Sequence, residues 1–450
     1  MTKKQFLPAS IADETAYFME QAVNSCITGG WILSLEGTID SNIIARALDA
    51  TLNYYPKFKC TLSKKYPSLK RWFRYCWEYH DDITSADILD EVDETDTNPE
   101  EDVLSYYRRF HPSHRIDVTR QVPVKVLLIK QLKHAVIIIF FHHSATDGIG
   151  CHLFIRKLIQ FHDEILFDQK PIDDASPDFK LISQPKITAP WRNVSLREFY
   201  SFLRVKAFLQ REPAVQIHCP GGEGSWGASM AVGREILPHQ FKRLKATAKK
   251  TQVTLNDYLL SAMFQTIKQW NELYGNKRGR FYINVPVNLR PPKELSIGNI
   301  FCGFDISAPY NLVDNKEKLL TQIREERTFM WNNNVANTTL HFIWQFKFLP
   351  LKLKDFIFKH HSHGIYPSLC LSNLGVCEPN PSHKDEEGFH YIGAARIGSI
   401  FVVNSAIPWP QAVISTYNDR MTVSLTAFHS HFSLEAAGKL LDYFVGTLIA

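Results

Sequence analysis

The stretch Ala135-Val-Ile-Ile-Ile-Phe-Phe-His-His-Ser-Ala-Thr-Asp-Gly148 decides the fold and the candidate site of this chain. Its first seven residues are all apolar, which is typical of a strand that is covered on both faces. Two adjacent histidines, His142 and His143, follow that strand directly. Asp147 is a favourable N-cap residue, and the apolar side chains after it recur at helical spacing. The sequence therefore predicts a short loop that is held between a strand and a helix.

A histidine in such a loop is suited to general base catalysis. Acyl transfer from a thioester to a hydroxyl or amine requires that the acceptor loses its proton during the attack, and a neutral imidazole, with an unperturbed pKa of about 6.5, accepts a proton at neutral pH. Adjacent histidines at a strand end are also ordinary polar residues, and Asp147 is also an ordinary helix cap. On these residues alone, both interpretations stay open.

Strands and helices are mixed along the whole chain of 450 residues, which favours an α/β fold with two domains. We predict strands near residues 31–35, 122–129, 135–141, 281–287, 368–372, 400–404, 412–417 and 421–428, and helices near residues 40–53, 148–165, 196–210, 238–250, 255–274 and 434–448. A segment rich in Asp, Pro, Ser and Lys lies between the halves. We therefore expect one lobe at residues 1–175, a linker at residues 176–195 and a second lobe at residues 196–450.

The net charge of +5 hides an acidic segment. Residues 81–102 contain eleven Asp or Glu residues and no Lys or Arg, so we predict a solvated loop there. The remainder of the chain is basic, but it contains no Lys/Arg run and no recognised nucleic-acid motif, so no nucleic-acid partner is expected.

No targeting or membrane segment is evident in the sequence. The longest apolar run has seven residues, whereas a membrane span needs about 20. No apolar region follows the two lysines near the N-terminus, so a cytoplasmic location is expected. The basic and apolar stretches at residues 196–211 and 346–361 are compatible with a membrane surface, an acyl chain or an acidic acyl carrier protein. Packed elements whose lysines reach solvent are the favoured interpretation, with the carrier protein as a candidate partner.

Metal or disulfide chemistry is not indicated. The eight cysteines are far apart and include no Cys-x-x-Cys pair, so we expect reduced and mostly buried thiols. The histidine groups at 360–363 and 429–431 have no carboxylate or cysteine at a companion spacing. We therefore expect neither a metal nor a cofactor.

The motif His-His-x-x-x-Asp-Gly after an apolar strand resembles the signature of the CoA-dependent acyltransferase superfamily, which includes chloramphenicol acetyltransferase, condensation domains, alcohol acetyltransferases and polyketide-associated acyltransferases. Later segments resemble further elements of that superfamily, in the same order. They are Thr-Leu-Asn-Asp at 254–257, Val-Pro-Val-Asn-Leu-Arg at 285–290 with Ile-Gly-Asn at 297–299, and Ser-Asn-Leu-Gly at 372–375.

The resemblance implies two chloramphenicol-acetyltransferase-like lobes, each a mixed sheet flanked by helices, with a tunnel between them. It implies that His143 is the general base and that His142 is structural. It further implies that Asp147 points away from the substrate and pairs with Arg290, which orders the loop, and that Gly148 allows close packing at the loop exit.

Attack on a thioester also creates an oxyanion that needs a hydrogen-bond donor. The resemblance makes Ser372 and Asn373 the candidates for that role, and Asn256 a further candidate for substrate contact. Each of these segments is also an ordinary strand end or helix start, so both interpretations stay open.

The expected function is that of a standalone acyltransferase in secondary metabolism. The donor would be an acyl-CoA or an acyl carrier protein that binds in trans, since no carrier domain follows the final helix, and the acceptor would be a small alcohol or amine. The alternatives are a thioester hydrolase that uses the same base and a non-catalytic, condensation-like docking module. Two lobes in one chain would form the site without oligomerisation.

Overall fold

The structure is a computed structural model, in which the following residues are described: 5–23, 27–65, 72–94, 102–167, 194–211, 214–221, 229–275, 279–291, 295–361, 367–380 and 383–449. The predicted linker at residues 176–195 lies outside these ranges except for its last two residues.

Strands and helices are mixed in both halves of the chain, as the sequence predicts. The strands are β1 (Phe6–Pro8), β2 (Thr28–Glu36), β3 (Cys60–Ser63), β4 (Cys76–Tyr79), β5 (Leu89–Asp93), β6 (Val124–Lys130), β7 (His134–His142), β8 (Ser229–Ile236), β9 (Arg280–Asn288), β10 (Phe301–Pro309), β11 (Leu369–Val376), β12 (Tyr391–Ile392), β13 (Ala395–Val403), β14 (Gln411–Tyr417) and β15 (Arg420–Phe428). The helices are α1 (Ile11–Val23), α2 (Ser41–Tyr54), α3 (Val103–Phe110), α4 (Gly148–Leu166), α5 (Leu196–Arg211), α6 (Pro238–Lys250), α7 (Leu255–Leu273), α8 (Lys316–Asn332), α9 (Val335–Trp344), α10 (Leu351–His361) and α11 (Leu434–Ile449).

The first mixed sheet has the strand order β12-β13-β2-β7-β6-β5, with β7 in its interior. Strand β7 pairs antiparallel with both β2 and β6, and all of its residues except His134 are buried. Alternate side chains point to opposite faces, so that Ile137 belongs to the core under α2 and α4, whereas Ile138 belongs to the core against α3. The prediction of a strand covered on both faces is confirmed.

The prediction of a solvated loop across residues 81–102 is wrong for Leu89–Asp93. This segment forms β5, which pairs in parallel with β6 at the edge of the first sheet. Basic groups compensate its charge: Lys130 Nζ lies 2.7 Å from Glu91 Oε2, and Arg109 pairs with Glu94. Neighbouring cations from other elements therefore allow an acidic segment to form an edge strand.

The second mixed sheet has the strand order β10-β9-β11-β14-β15-β8. Strand β11 runs parallel to both β9 and β14, whereas the remaining pairs are antiparallel. Helices α6, α7, α8 and α11 cover one face of this sheet with a large apolar core. The architecture is thus α/β, with two mixed sheets flanked by helices.

One segment crosses between the sheets. Strands β12 and β13 follow β11 in the chain, yet β13 pairs antiparallel with β2 of the first sheet, with Val402 opposite Trp31. The division of the chain at residues 175 and 196 stays a prediction, and residues 391–403 are an exception to it, because their backbone hydrogen bonds are made with the first sheet. The first sheet is thus completed by the C-terminal half.

Helices α1 and α10 also connect the two halves of the chain. Lys354 Nζ on α10 pairs with Glu14 Oε2 on α1, and both side chains are essentially inaccessible. Phe358 of α10 stacks on Phe18 of α1, with ring centroids 5.5 Å apart. Residues 351–361 are therefore a packed element, one of whose lysines is buried rather than solvated.

Two simpler expectations concern cysteines and membranes. The seven cysteines in the described ranges are all free thiols. No helix among the described residues combines the length and the apolar character that a bilayer crossing needs.

Candidate active site

The loop between β7 and α4 carries the histidine motif. Strand β7 ends at His142 and helix α4 begins at Gly148. Asp147 is the N-cap of α4: its backbone is extended, and its Oδ1 atom accepts a hydrogen bond of 2.9 Å from Gly150 N. The five residues 143–147 are thus fixed at one end by a buried strand and at the other by a capped helix, as predicted.

Asp147 does not contact His143 but points towards the second half of the chain. Arg290 approaches it with both terminal nitrogens, with Nη1 2.9 Å from Oδ2 and Nη2 2.8 Å from Oδ1. The Ile300 backbone N–H donates to Oδ2 at 2.8 Å. Both side chains are almost fully buried. The pair expected from the resemblance is present, and its two-point geometry fixes the loop relative to the strand ends that carry Arg290 and Ile300.

Two glycines allow the close approach at the start of α4. A Cβ atom on Gly148 would lie 2.8 Å from Leu374 Cδ2, and a Cβ atom on Gly150 would overlap the carbonyl oxygen of Ile297 and Thr146 Oγ1. Gly148 therefore permits the close packing that the resemblance implies. Gly150, which the sequence analysis did not select, is the more tightly enclosed of the two.

His142 is completely buried and has a partner at each ring nitrogen. The Ser144 N–H lies 3.2 Å from Nδ1, and Glu20 Oε2 on α1 lies 3.1 Å from Nε2. Because a backbone N–H can only donate, Nδ1 accepts and Nε2 carries the proton that it donates to Glu20. These contacts support the structural role expected for His142.

His143 is only partly buried, and Asn299 fixes its ring. Its Nδ1 atom lies 3.2 Å from Asn299 Oδ1. The Asn299 amide nitrogen lies near three acceptors, namely the carbonyl oxygens of His143 at 2.8 Å and Ser144 at 3.1 Å and the carboxylate of Asp13 at 3.2 Å. The surrounding acceptors assign the amide orientation, so Oδ1 faces the imidazole and Nδ1 carries the proton. The lone pair of a neutral His143 is therefore on Nε2.

Asp13, which accepts a hydrogen bond from the Asn299 amide, has further buried partners of its own. Its carboxylate accepts hydrogen bonds from Lys57 Nζ at 3.2 Å to each oxygen and from Trp77 Nε1 at 3.0 Å. Asp13 and Lys57 are both almost inaccessible to solvent. A chain of buried polar contacts thus runs from Lys57 through Asp13 and Asn299 to His143.

The free edge of the imidazole faces the second sheet. The ring of Phe301, the first residue of β10, lies 5.4 Å from the ring of His143. Among the described residues, Nε2 of His143 has no hydrogen-bond partner. The nitrogen with the lone pair is thus available to a substrate beside the start of β10.

The three candidates for substrate contact lie on neighbouring elements. Ser372 is half-buried on β11, two residues before the Leu374 that packs on Gly148. Its hydroxyl has no hydrogen-bond partner within the described ranges. The Asn373 amide nitrogen lies 3.5 Å from Asn256 Oδ1, and Asn373 Oδ1 accepts from the Gly375 N–H at 3.0 Å. Ser372 is therefore free to donate, whereas Asn373 and Asn256 are occupied with local contacts.

A cysteine close to the motif is not a nucleophile. Burial raises the pKa of the Cys151 thiol well above its usual value, and the nearby Asp147 carboxylate adds to that effect. Cys151 is therefore a thiol at neutral pH and a member of the core. The local geometry favours direct attack by an acceptor over a covalent cysteine intermediate.

Asn299, Asp13, Glu20 and Gly150 belong to the site and were not selected from the sequence. Asn299 could have been identified from the sequence, because it ends the motif segment 297–299, which follows Arg290 closely in the chain. Asp13 and Glu20 gave no such signal, because their contact with the motif depends on how α1 packs.

Comparisons with known proteins bear on the fold that carries this site. A protein-family model of the condensation domain matches residues 3–296. Similar solved structures include the first condensation domain of the calcium-dependent antibiotic synthetase, with 12% identity and a TM-score of 0.73 over 99% of this chain and 96% of that chain. The trichothecene 15-O-acetyltransferase from Fusarium sporotrichioides has 12% identity and a TM-score of 0.75 over 99% and 95%.

A third similar structure is polyketide synthase associated protein 5 from Mycobacterium tuberculosis, with 16% identity and a TM-score of 0.61 over 99% of this chain and 98% of that chain. At such identities the likeness establishes the fold. No curated protein sequence matches the chain.

Proposed function

The chain belongs to the condensation domain family, and we propose that it is an acyltransferase that moves an acyl group from a thioester to a hydroxyl or amine. In this proposal His143 is the general base and both substrates bind together. The donor is an acyl-CoA or an acyl carrier protein.

The observation that carries the proposal is the fixed tautomer of His143. With the Nδ1 proton directed at Asn299 Oδ1, the Nε2 lone pair faces the space beside Phe301. Nε2 takes the proton of the acceptor as its oxygen or nitrogen attacks the thioester carbon. The imidazolium then holds one proton on each nitrogen, and Asn299 stabilises the Nδ1 proton throughout.

The negative charge that forms on the thioester oxygen needs a donor in the same space. We assign that role to Ser372, because its hydroxyl is half-buried, free among the described residues and close to the motif through Leu374. When the intermediate collapses, the carbon–sulfur bond breaks and the thiolate leaves. The proton on Nε2 passes to this sulfur, so that His143 returns to its neutral form.

Asp147 and Arg290 act on the loop rather than on the substrate. Their buried pair joins the loop to the strand ends at 290 and 300, and so keeps His143 beside Phe301. Asp147 is therefore a positioning residue in this proposal, as are His142 and Gly148.

Two similar structures support the transferase over the hydrolase. One is named for acetyl transfer to an oxygen of a trichothecene, and the other for its association with a polyketide synthase. The former supports a hydroxyl acceptor and the latter a partner of the carrier type.

The test is thiol release from a panel of acyl-CoAs and carrier-bound acyl groups, measured with and without alcohols and amines. Release that requires an acceptor, together with an ester or amide product, is the expected result. Release at the same rate without any acceptor would identify a hydrolase instead. If no donor released its thiol under any condition, the chain would be a docking module.

A further inference from the structure

One half of the inner face of the second sheet is open next to His143. Along β10, Phe301, Gly303 and Asp305 keep accessible surface, whereas the intervening Cys302 and Phe304 are buried. Because alternate residues of a strand point to opposite faces, the accessible side chains share one face. That face is opposite to the one packed against the apolar core of the second lobe.

The neighbouring strands continue this accessible face. Asn284 on β9 is opposite Asp305, and Pro286 is opposite Gly303. Both are half-buried, as is Ser372 on β11. Three adjacent strands thus present partly accessible residues on the same side.

The rest of the same face is covered. On β15, Thr422 Oγ1 donates to the Ile400 carbonyl of β13 at 2.9 Å, and Ser424 bonds to the Val402 carbonyl. Strand β13 therefore closes the face over β14 and β15 and leaves it open over β9, β10 and β11. We call this open part, lined by Phe301, Gly303, Asp305, Asn284, Pro286 and Ser372, the β10 groove.

The β10 groove begins at the proposed base and ends at a carboxylate. The Phe301 ring contacts the His143 ring at one end. Four residues further along the strand, about 13 Å at the usual rise per residue, lies Asp305. A molecule whose reactive group is at His143 would therefore have its other end near Asp305 and Asn284.

Asp305 lacks an ion-pair partner among the described residues. Its one hydrogen bond there comes from Asn284 Nδ2, at 2.9 Å from Oδ1. Burial raises the pKa of the Asp305 carboxyl, although the Asn284 bond and the more distant charge of Lys206 oppose this effect. Glu326 lies nearby, but both of its oxygens are occupied by Ser307 and the positive charge of Arg280 acts on it. At this end of the groove Asp305 is thus the carboxylate whose Oδ2 atom has neither a hydrogen bond nor an ion pair among the described residues.

We propose that Asp305 and Asn284 form the distal subsite for the acceptor, and that the acceptor carries a cationic amine at the end remote from its attacking hydroxyl or amine. A half-buried carboxylate without an ion-pair partner is destabilising, and a bound ammonium group would supply that partner. Asn284 holds Oδ1 in place, which leaves Oδ2 for the ammonium group. Anionic acceptors are excluded by the same charge. This proposal rests on the proposed function.

The test compares acceptors that differ only at the remote end. Transfer to a series of ω-amino alcohols is measured beside transfer to the alkanols of equal length, for the wild type, Asp305→Asn and Asp314→Asn. Asp305→Asn keeps an oxygen for Asn284 and removes only the charge. Asp314→Asn removes a carboxylate on the surface that pairs with Lys268.

The wild type should prefer the amino alcohol by about tenfold or more in kcat/KM at the best length, since a site that pairs a charge rejects the analogue without it. The preference should disappear in Asp305→Asn and persist in Asp314→Asn. A wild type without preference, or an Asp305→Asn variant that keeps it, would overturn the proposal.

A binding measurement separates this proposal from the catalytic one. The shift in the thermal midpoint produced by the same amino alcohols needs no turnover. If the wild type transferred acyl groups to no acceptor, yet was stabilised by amino alcohols more than Asp305→Asn, the proposed function would fail and the subsite would stand. Equal stabilisation of both proteins would remove the subsite, whatever the activity.

Discussion

Nδ1 of His143 lies 3.2 Å from Oδ1 of Asn299. This contact joins the loop after β7, in the first half of the chain, to the segment just before β10, in the second half. The amide nitrogen of Asn299 binds the carbonyl oxygens of His143 and Ser144 in the same loop. One side chain therefore fixes both the backbone of the loop and the tautomer of its imidazole. The orientation of the proposed base thus depends on how the two halves of the chain meet.

Replacing Asn299 with Ala should lower kcat by about 10- to 100-fold and change KM little, because the imidazole loses the acceptor that holds its tautomer. Steady-state kinetics measure both constants. Asn315→Ala is the control, since it removes the N-cap of α8 and should lower stability by about 1 kcal/mol without lowering kcat. Equal kcat values for Asn299→Ala and wild type would contradict the role of Asn299.

Breaking the pair of Asp147 and Arg290 from either side should destabilise the protein by about 3–5 kcal/mol, because each change leaves a charge buried without its partner. Asp147→Ala should also lower activity, since the loop loses the contacts of this carboxylate with Gly150, Arg290 and Ile300. Urea unfolding of both single variants and of the double variant tests this. We expect the double variant to lose less than the sum of the single losses, and additivity would show that the two charges are not coupled.

Gly150→Ala should destabilise the protein by about 1–3 kcal/mol and reduce the rate of acyl transfer. The added methyl group would overlap the Ile297 carbonyl oxygen and push α4 away from the second half of the chain. Gly446→Ala on α11 is the matched control. A Cβ atom there would contact nothing within 4 Å, so this helical position should gain about 0.5–1 kcal/mol. If the two glycine variants had equal stability, the packing at the start of α4 would be looser than described.

Acid should destabilise the protein through His111. Burial lowers the pKa of His111 to about 4, and the hydrogen bond between Nε2 and the Thr28 carbonyl oxygen, at 3.2 Å, opposes this effect only in part. The unfolded chain, with a histidine pKa of about 6.5, then binds more protons than the native state between those values. The contribution of neutral His111 to the free energy of unfolding is fully present above about pH 6.5. It decreases as the pH falls, by about 3 kcal/mol in total.

His111→Gln should therefore flatten the fall of the free energy of unfolding between about pH 6.5 and pH 4. Denaturant unfolding at a series of pH values measures this slope. His134→Gln, at an exposed position of β7, should leave the slope unchanged. An unaltered slope in His111→Gln would show that other groups cause the acid sensitivity.

The sequence predicted those parts of the fold that local patterns determine. The apolar run of β7, the N-cap at Asp147 and the strands β9, β14 and β15 are all set by nearby residues. Strand β5 was missed because its charge is compensated by Lys130, which is far away in the chain. The pairing of β13 with β2 was missed for a related reason, since no local pattern tells a strand which sheet it will join.

The residues of the candidate site fall into the same two groups, those that local sequence identifies and those that only tertiary packing brings together. His143, Asp147 and Arg290 were found because they stand in recognisable motifs. Asp13 and Glu20 lie on a helix whose sequence contains no motif, and their carboxylates reach Asn299 and His142 only through the packing of α1. The buried polar partners of a catalytic residue depend on tertiary contacts, so a single sequence does not identify them.

The most direct test of the proposed chemistry is the rate of acyl transfer by His143→Ala under the conditions that give the wild type its highest rate. The proposal predicts a loss of about 100- to 10,000-fold in kcat, with a thermal midpoint close to that of the wild type, because the half-buried ring has one hydrogen bond to lose. If the folded variant kept the rate of the wild type, His143 would not be the base and the proposed mechanism would be wrong.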